Sequence, residues 1–510
     1  MPQDTDSIYD VYVRDRVNGI VELISVSSSG VKGQAFSSAG DISPDGRFVT
    51  FTSDATNLIS NDTNNSPDSF VRDRLGGQTW RVSVGDNGQQ GNQGGVGGSI
   101  SADGRFVAFW SSSTNLGPPD ANGANDTFVF DRLAGKSECV SVTPLGSTGN
   151  GGSGSTVMSS DGNYVAFGST ASDLVAGDSN GTGDAFVYER ATKKLSIVSL
   201  TSTGAAGNGS AGPWAISADG RYVVFESTGS NFVPGDTNNQ PDLFLRDRTL
   251  STTTRISVSS AGMQADSESH NGRISANGRF IAFESYAGNL VPGPKGWKIF
   301  VHDAWLHTTT LVSQSTTGVY PNNQCLRPSI SPDGTCVAFD SDANNLIQGG
   351  DTNSFTTDVM VRECPPSGAF TYCVPKTSSI GCIPAINGAG TASSSSALPF
   401  DVHANGVINR KNGLLTYSVS GQTLVPFGGG ALCVAPPLKR SPLLASGGSL
   451  PPAWDCSGSF HFDFNAHIQS GVDPALVQGQ MVWAQYWYRD PGFSAPDNIG
   501  LTDAVEFTIE

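Results

Sequence analysis

Short apolar runs alternate with glycine-rich turns along the first two thirds of this chain. One such run, residues 105–109 in the second copy, has five residues rich in Val and Phe, and in every copy the corresponding run follows an Asp-Gly or Asn-Gly turn. The turn glycine recurs every 58 residues, with a last interval of 56, at Gly46, Gly104, Gly162, Gly220, Gly278 and Gly334. A fixed period of this length predicts repeated copies of one supersecondary unit.

Each repeat contains four predicted strands bounded by Gly, Asn and Asp. In the second repeat they cover residues 98–101, 105–109, 126–132 and 138–142. The Asp-Gly turn between the first two strands suits a type I′ hairpin. Four strands per repeat without helical periodicity predict an all-β propeller, in which each blade is covered on both faces.

The turn sequences add a resemblance to a known family. Residues 43–46 and 331–334 both read Ser-Pro-Asp-Gly, and they resemble the turn of TolB-like, WD-like bacterial β-propellers over roughly residues 1–370. The resemblance implies the propeller fold. It implies no single function, because this scaffold hosts transport partners, lyases, peptidase domains and binding modules.

The number of blades depends on how the ends of the repeat region meet. A third-strand signature occurs seven times, from Asp10 to Asp358, whereas the turn occurs six times. Either the amino-terminal hairpin completes the last blade by strand exchange, or the chain derives from a seven-bladed parent. We predict six blades over residues 1–368.

The period stops after Cys364, and residues 369–510 are predicted to form a small β-sandwich of immunoglobulin-like type. Residues 426–430, 455–458 and 488–493 resemble a carboxy-terminal module of secreted planctomycete-type repeat proteins. That resemblance implies an extracellular location and no activity.

Charge and cysteine content narrow the class of protein. The net charge of −17 argues against nucleic acid and anionic membrane surfaces as partners, and no apolar run approaches the roughly 20 residues of a membrane span. No Cys-x-x-Cys pair is present, and seven of the eight cysteines follow residue 320, which favours local disulfides. We therefore expect an extracellular, cell-surface or periplasmic protein.

An Asp-rich loop recurs between the second and third strands. Aspartate and asparagine oxygens at loop positions 1, 3 and 7 suit Ca²⁺, which takes six to eight oxygen ligands. The alternative is that these side chains cap their own turns and bind nothing. We predict structural calcium, with the ligands Asp62, Asn64, Asp68, Asp120, Asn122, Asp126, Asp178, Asn180, Asp184, Asp236, Asn238, Asp242, Asp351, Asn353 and Asp358. In the fifth repeat, Lys298 replaces the final Asp.

The repeats also differ in one respect that points to a ligand site. Acids six residues past the turn glycine occur only in the last three repeats, where aromatic and charged residues also precede the first strand. Residues equally distant from a hairpin turn face each other, so these side chains share one end of the channel. The predicted ligand-binding residues are Trp214, Glu226, His270, Arg273, Glu284, Arg327 and Asp340.

Two interpretations of this set remain open. The side chains bind a protein, peptide or saccharide, or they form salt bridges between blades, which the sequence slightly favours. We expect a secreted or surface-displayed bacterial binding protein. The alternative is a polysaccharide lyase or glycan hydrolase with His270, Glu226 and Glu284 as acid-base groups, and a third possibility is a spacer that presents the carboxy-terminal module.

Overall fold

A computed structural model describes residues 6–120, 122–178, 180–305, 307–347, 357–363, 370–372, 376–382, 384–389, 392–396, 398–427, 430–448, 455–494 and 498–509. The chain is almost entirely β-structure and divides into two compact units, Met1–Cys364 and Pro365–Glu510. The division lies four residues before the boundary that the sequence suggests.

The first unit is a series of antiparallel sheets in which consecutive strands pair. We call the six sheets that carry the repeat turn blades 1 to 6. They are preceded by the hairpin β1 (Tyr12–Arg14) and β2 (Val21–Leu23). Blade 1 comprises β3 (Ser37–Ile42), β4 (Phe48–Ser53), β5 (Asp68–Asp73) and β6 (Gln78–Arg81), and blade 2 comprises β7 (Gly95–Ile100), β8 (Phe106–Ser111), β9 (Asp126–Asp131) and β10 (Lys136–Cys139).

The later blades keep the same strand order, except that blade 6 has three strands among the described residues. Blade 3 comprises β11 (Ser153–Met158), β12 (Tyr164–Ser169), β13 (Asp184–Glu189) and β14 (Lys194–Ile197), and blade 4 comprises β15 (Ala211–Ile216), β16 (Tyr222–Ser227), β17 (Asp242–Asp247) and β18 (Thr252–Arg255). Blade 5 comprises β19 (Ser269–Ile274), β20 (Phe280–Ser285), β21 (Lys298–Asp303) and β22 (Thr308–Leu311), and blade 6 comprises β23 (Cys325–Ile330), β24 (Cys336–Ser341) and β25 (Asp358–Glu363).

The repeat turn is a type I turn closed by a left-handed glycine, so the expectation of a type I′ turn is wrong. In blade 1, the Gly46 amide donates to the Ser43 carbonyl at 2.7 Å, and Gly46 has φ +69° whereas Asp45 has no positive φ. A type I′ turn would need positive φ at both residues. The Asp45 carboxylate instead accepts from the Ser43 hydroxyl and the Arg47 amide, at 2.5 and 3.0 Å.

The same glycine also makes a close contact between blades. A Cβ added to Gly104 in blade 2 would lie 2.1 Å from the Phe48 ring of blade 1, and one added to Gly220 would lie 2.1 Å from the Tyr164 ring. The turn of each later blade therefore rests on the aromatic ring that begins the second strand of the blade before it. Glycine is required there by both the backbone conformation and the space.

Buried side chains join each blade to the next. One core cluster contains Phe48 and Val71 of blade 1 together with Val107 and Phe109 of blade 2, and similar clusters join the following blades. Within blades 1 to 5, a second-strand Phe stacks on a third-strand Phe, as Phe109 does on Phe128 at 5.5 Å between ring centroids. Burial on both faces of each blade is the arrangement that the sequence predicted for a propeller.

The hairpin β1–β2 lies between blade 6 and blade 1. Arg16 contacts Cys336 of blade 6 at 3.8 Å, just as Arg132 of blade 2 lies over Phe48 of blade 1 at 4.6 Å. On its other side, Glu22 pairs with Arg74 of blade 1 at 2.7 Å. The sheets thus follow one another around a ring. Among the described residues, the hairpin forms its own sheet and does not pair with β25, so this part of the chain shows no strand exchange into the last blade.

The second unit contains sheets that share one core. Its strands are β26 (Phe370–Tyr372), β27 (Ala385–Ala389), β28 (Asp401–Val407), β29 (Asn412–Ser418), β30 (Gln422–Phe427), β31 (Gly430–Val434), β32 (Lys439–Arg440), β33 (Leu444–Ala445), β34 (Gly458–Asp463), β35 (Met481–Arg489) and β36 (Ile499–Thr508). A helix, α1 (Phe464–Gln469), follows β34. The three-stranded sheet β27–β28–β34 and the sheet built around β35 and β36 both contribute to the core, with Val402, Phe460, Tyr486 and Val505 fully buried.

The cysteines divide between the two units. Cys382 and Cys456 form a disulfide in the second unit, which confirms the expectation of disulfide bonding there. Cys139, Cys325 and Cys336 are free thiols, so the expected disulfides are wrong for Cys325 and Cys336. Both lie in strands of blade 6, where they occupy positions that the repeat assigns to packing.

Candidate functional site

Bulges on the first strands position the side chains that the sequence singled out. The register of the first and second strands slips near the middle in every blade, and the bulged segment includes Trp214 in blade 4, Asn271 in blade 5 and Arg327 in blade 6. Asn271 and Arg327 have φ values of +55° and +53°, which are uncommon for residues other than glycine. Bulges re-aim side chains and are frequent beside binding sites.

Blades 4 and 5 bring three of these side chains together with Glu268, which lies just before β19. The Nδ1 atom of His270 lies 3.0 Å from Glu226 Oε1 and its Nε2 lies 3.4 Å from Glu268 Oε2. Trp214 donates its indole N–H to the other oxygen of Glu226 at 2.7 Å. We call Trp214, Glu226, Glu268 and His270 the histidine cluster.

Two aromatic rings extend this cluster toward solvent. The Trp297 ring lies 5.7 Å from the His270 ring and 5.7 Å from the Tyr286 ring. Tyr286 is exposed and Trp297 is half-buried. At these two positions the other blades carry only non-aromatic residues, namely Asp54, Ser112, Thr170, Thr228 and Asp342 for Tyr286, and Pro67, Asn125, Gly183, Pro241 and Thr357 for Trp297.

Three of the other predicted residues, Glu284, Arg327 and Asp340, form a second group between blades 5 and 6. Glu284 is buried, and it accepts from the Asn271 amide at 2.6 Å and from the Arg327 backbone N–H at 2.5 Å. The Arg327 guanidinium pairs with Asp340 at 2.8 Å. Glu284 and His270 are directly opposite in the register of β19 and β20, yet their side chains have different partners.

The role of Glu284 has a counterpart in a blade that lacks an acid. Thr52 of blade 1 accepts from the bulged Gly97 N–H of blade 2 at 3.2 Å, as Glu284 accepts from that of Arg327. This contact between neighbouring blades is structural, and it matches the interpretation of these acids as packing devices. Glu226 does not make this contact with a bulged backbone N–H, because its partners are the side chains of Trp214 and His270.

Arg273 has an acidic partner in blade 1 that sequence reasoning missed. Its guanidinium donates to the Trp214 carbonyl at 2.7 Å, and Asp41 of blade 1 acts on it electrostatically. Solvent reaches Asp41, but the protein surrounds it on most sides, and this desolvation raises its pKa. Asp41 and Arg273 both stand five residues before their turn glycine, where the other repeats have Ser99, Val157, Ala215 and Ser329. Comparing that position across repeats would have found the pair.

Glu226 is expected to set the charge of His270. The hydrogen bond from His270 to Glu226 raises the pKa of His270 above the usual 6.5. Burial of the ring acts in the opposite direction but is the smaller effect. The stability that this interaction contributes is therefore complete below about pH 6.5 and is lost as pH rises through the folded-state pKa. We predict that Glu226→Gln lowers the pKa of His270 measured by NMR titration, and that Glu268→Gln lowers it less, because the second contact is longer. Equal effects of the two variants would contradict this order.

The Asp-rich loops place carboxylates together, but in three of them the protein supplies a cation. In blade 1, Arg81 lies 3.2 Å from Asp68 and 3.7 Å from Asp62. In blade 4, Arg255 lies 3.2 Å from Asp242 and 3.5 Å from Asp236. At the amino-terminal hairpin, Lys32 lies 2.8 Å from Asp6 and 2.9 Å from Asp10.

The central asparagines of the loops have partners within the protein. Each accepts from the backbone N–H two residues on and donates to a backbone carbonyl near the next blade, through Asn64, Asn122, Asn180 and Asn238. These contacts are those of capped turns. Asp351 and Asn353 lie outside the described residues, and Asp358 begins β25. Lys298 of blade 5 donates to the carbonyls of Pro294 and Gly296.

No family model matches the chain, and no curated protein matches it. Over the described residues, no helix is both long and apolar enough to cross a bilayer.

Among solved structures, the chain is similar to several proteins at low identity. It is similar to the putative TolB from Agrobacterium tumefaciens, with 14% identity and a TM-score of 0.37 over 70% of this chain and 98% of that chain. It is similar to the β-propeller domain of the Trilobed protease from Pyrococcus furiosus, with 8% identity and a TM-score of 0.43 over 69% and 84%. It is also similar to oligogalacturonate lyase from Vibrio parahaemolyticus, with 11% identity and a TM-score of 0.33 over 72% and 99%. The structures that this chain resembles are thus TolB-like and other β-propeller proteins.

Proposed function

We propose that this chain is a secreted or surface-displayed bacterial binding protein, and that a saccharide docks against Tyr286 and Trp297 beside the histidine cluster. The observation that carries the proposal is the restriction of these two rings to blade 5, next to polar side chains of blades 4 and 5. Ligand sites combine aromatic surfaces with a few fixed polar groups. A sugar ring offers an apolar face and a rim of hydroxyls, which suits both.

The pairing of the acids favours binding over catalysis. An acid-base pair must reach the reacting atoms from one open pocket. Glu284 is buried on partners from its own and the next blade, and Glu226 is shared between Trp214 and His270. The raised pKa of His270 also makes it a weaker candidate for a general base near neutral pH. A lyase or hydrolase remains the alternative function.

Three finer features complete the proposal. The repeat region is a propeller of six blades, in which β1–β2 fills the outer part of the interval between blade 6 and blade 1. The second unit is an immunoglobulin-like sandwich. An extracellular, cell-surface or periplasmic location is supported by the disulfide between Cys382 and Cys456, since such bonds persist in oxidising compartments.

The proposal predicts that Trp297→Ala weakens saccharide binding at least about tenfold, corresponding to roughly 1.4 kcal/mol. Calorimetry on the full chain would use oligosaccharides of neutral hexoses and of hexuronic acids as probes. The matched control is Tyr9→Ala, which removes an exposed aromatic side chain of the amino-terminal segment and should leave binding unchanged. Equal losses in both variants, or no binding of either probe at millimolar concentration, would overturn the proposal. Release of shortened oligosaccharides during the titration would favour the enzyme instead.

A further inference from the structure

The hairpin β1–β2 occupies the place of the third and fourth strands of a blade. The Ser37 amide of blade 1 donates to the Tyr9 carbonyl before β1 at 2.8 Å, just as the Gly95 amide of blade 2 donates to the Pro67 carbonyl before β5 at 2.8 Å. Val11, which precedes β1, is buried in one cluster with residues of β4 and β5. Among the described residues, however, β1 pairs only with β2. We call the space beside β1, between blades 6 and 1, the open interval.

Blade 6 is exposed on the face that the next blade covers elsewhere in the ring. Val359 is 73% exposed, whereas its counterparts in blades 1 to 5 are 0% exposed, namely Ser69, Thr127, Ala185, Leu243 and Ile299. Val361, on the same face of β25, is also exposed. In the other blades this face meets the first strand of the following blade. The Ser69 hydroxyl, for example, donates to the Gly97 carbonyl of β7 at 2.5 Å.

Blade 1 is exposed on the opposite side of the open interval. Ile42 is 44% exposed, whereas residues at the same repeat position are at most 9% exposed in blades 2 to 4, namely Ile100, Met158 and Ile216. Gly46 lacks the aromatic ring that covers the turn glycine of blades 2 to 6. A Cβ added to Gly46 would meet only Arg74 within 4 Å, at 3.6 Å, whereas in blades 2 to 6 the ring would lie 2.1 to 2.5 Å away. The described chain thus leaves uncovered the surfaces that a first and a second strand bury elsewhere.

The hairpin also carries the two charged side chains that hold the repeat turn in other blades. In blade 1, Asp73 pairs with Arg47, the residue after the turn glycine, at 2.7 Å. Arg74 donates to the carbonyl of the turn glycine at 2.6 Å. The residues at the same repeat positions in the hairpin are Asp15 and Arg16.

Asp15 and Arg16 have other contacts in place of a turn. Asp15 accepts from two backbone N–H groups and the Asn18 side chain, and no basic side chain of the described chain forms an ion pair with it. Arg16 lies 3.6 Å from Glu363 and 3.8 Å from Cys336, both of blade 6, and its side chain is half-exposed. The hairpin therefore offers a carboxylate to an arginine and a guanidinium to a turn carbonyl.

We propose that the open interval binds a β-hairpin of another polypeptide, which adds to the edge of β1 and completes a seventh sheet. The first strand of this hairpin covers Val359 and Val361. Its turn has a glycine followed by an arginine that pairs with Asp15, and an aromatic residue after this arginine covers Gly46. In strand addition, main-chain hydrogen bonds provide affinity and side-chain contacts provide specificity.

The pairing within the blades indicates that the occupant is a separate polypeptide. The second strand of each of the six turn-bearing hairpins pairs with the third strand of its own blade. A second copy of this chain could fill the open interval only by opening one of its own blades. The interaction goes beyond the proposed saccharide binding and does not depend on it, because Tyr286 and Trp297 lie in blade 5.

The test uses a fluorescent synthetic peptide with the sequence of residues 94–111, which contains β7, the turn and β8. We expect saturable binding to the full chain, measured by fluorescence anisotropy. Val359→Lys should weaken it at least about tenfold, because the first strand would bury the added charge. The matched control is Val472→Lys in the second unit, where the valine is 75% exposed, and it should leave binding unchanged. Both substitutions are at exposed positions, so both variants should fold.

Two further measurements examine how the peptide binds. A peptide carrying Arg105→Glu should bind at least about tenfold more weakly, because its glutamate would face Asp15. Amide hydrogen exchange in residues 12–14 should slow in the complex, because β1 gains a partner strand.

Four results would each overturn the proposal. They are no binding of the parent peptide at millimolar concentration, equal binding by the two lysine variants, equal binding of the Arg105→Glu peptide, and unchanged amide exchange of β1 in the complex. Analytical ultracentrifugation of the chain alone examines the other occupant. A concentration-dependent dimer that Val359→Lys abolishes would identify a second copy in the open interval and would also overturn the proposal, whereas a monomer supports it.

Discussion

Replacing Asp303 by Ala is expected to lower the free energy of unfolding by about 3–5 kcal/mol, because it removes the carboxylate from a buried ion pair. Arg279 has one of the largest fully buried side chains, with 1% exposure, and it contacts Asp303 through two nitrogens at 2.7 and 3.0 Å. The Arg279 guanidinium cannot move to water without disrupting the packing of blade 5. Urea unfolding of the full chain would measure the change.

The equivalent pair in blade 2 provides a matched control. Arg105 and Asp131 make the same contact at 2.7 Å, but the Arg105 side chain is 41% exposed. Asp131 also accepts from two backbone N–H groups of the following turn, as Asp303 accepts from that of Trp305. Asp131→Ala should therefore cost about 1 kcal/mol, mostly from the lost turn contacts. Similar losses for both variants would show that burial does not control the strength of the pair.

His302 is expected to make the propeller unit sensitive to acid. Burial lowers the pKa of His302 to about 4, and its Nδ1 lies 2.9 Å from the Thr309 hydroxyl. The folded state favours the neutral ring, so the contribution is complete above the unfolded-state pKa of about 6.5 and is lost as pH falls toward 4. This one group should lower the free energy of unfolding by about 3 kcal/mol between pH 7 and pH 4.

A substitution drawn from the chain itself tests this assignment. Blades 1 and 4 have Arg72 and Arg246 at the position of His302, and each donates to the threonine that corresponds to Thr309. His302→Arg should keep this hydrogen bond while remaining charged in both states. Denaturant unfolding between pH 7 and pH 4 should then show about 3 kcal/mol less acid destabilisation in the variant than in the parent chain. An unchanged pH dependence would assign the acid sensitivity to other groups.

The repeats allowed much of the fold to be read from sequence. Turn glycines at a nearly constant interval, Val and Phe runs of strand length, and the absence of helical periodicity together predicted consecutive four-stranded sheets. These signals are local in the chain. The turn type was predicted wrongly because the Asp-Gly pair was considered without Ser43. The Ser43 hydroxyl donates to the Asp45 carboxylate, and the Ser43 carbonyl accepts from the Gly46 N–H.

The candidate site was predictable in its membership but not in its contacts. Comparison of repeats identified Glu226, His270 and Glu284 as exceptions. It could not decide that Glu226 would pair with His270 of the next blade while Glu284 accepts from a bulged backbone N–H. The bulges that aim these groups depend on the register of two strands. Glu268, Tyr286 and Trp297 flank the ends of β19, β20 and β21, and they join the site because the pairing of these strands brings those ends together.

The sequence by itself determined the repeat, its strands and its conserved Asp-Gly turns, because each depends on residues close together in the chain. The tertiary structure decided which charges compensate one another. Asp62 and Asp120 occupy the same position of the repeat, yet Arg81 lies against the first and Cys139 replaces that arginine in the second blade. Neutralisation depends on a strand 13 residues beyond the loop's second Asp and on the pairing that brings it back, and such distances are fixed only when the blade is folded.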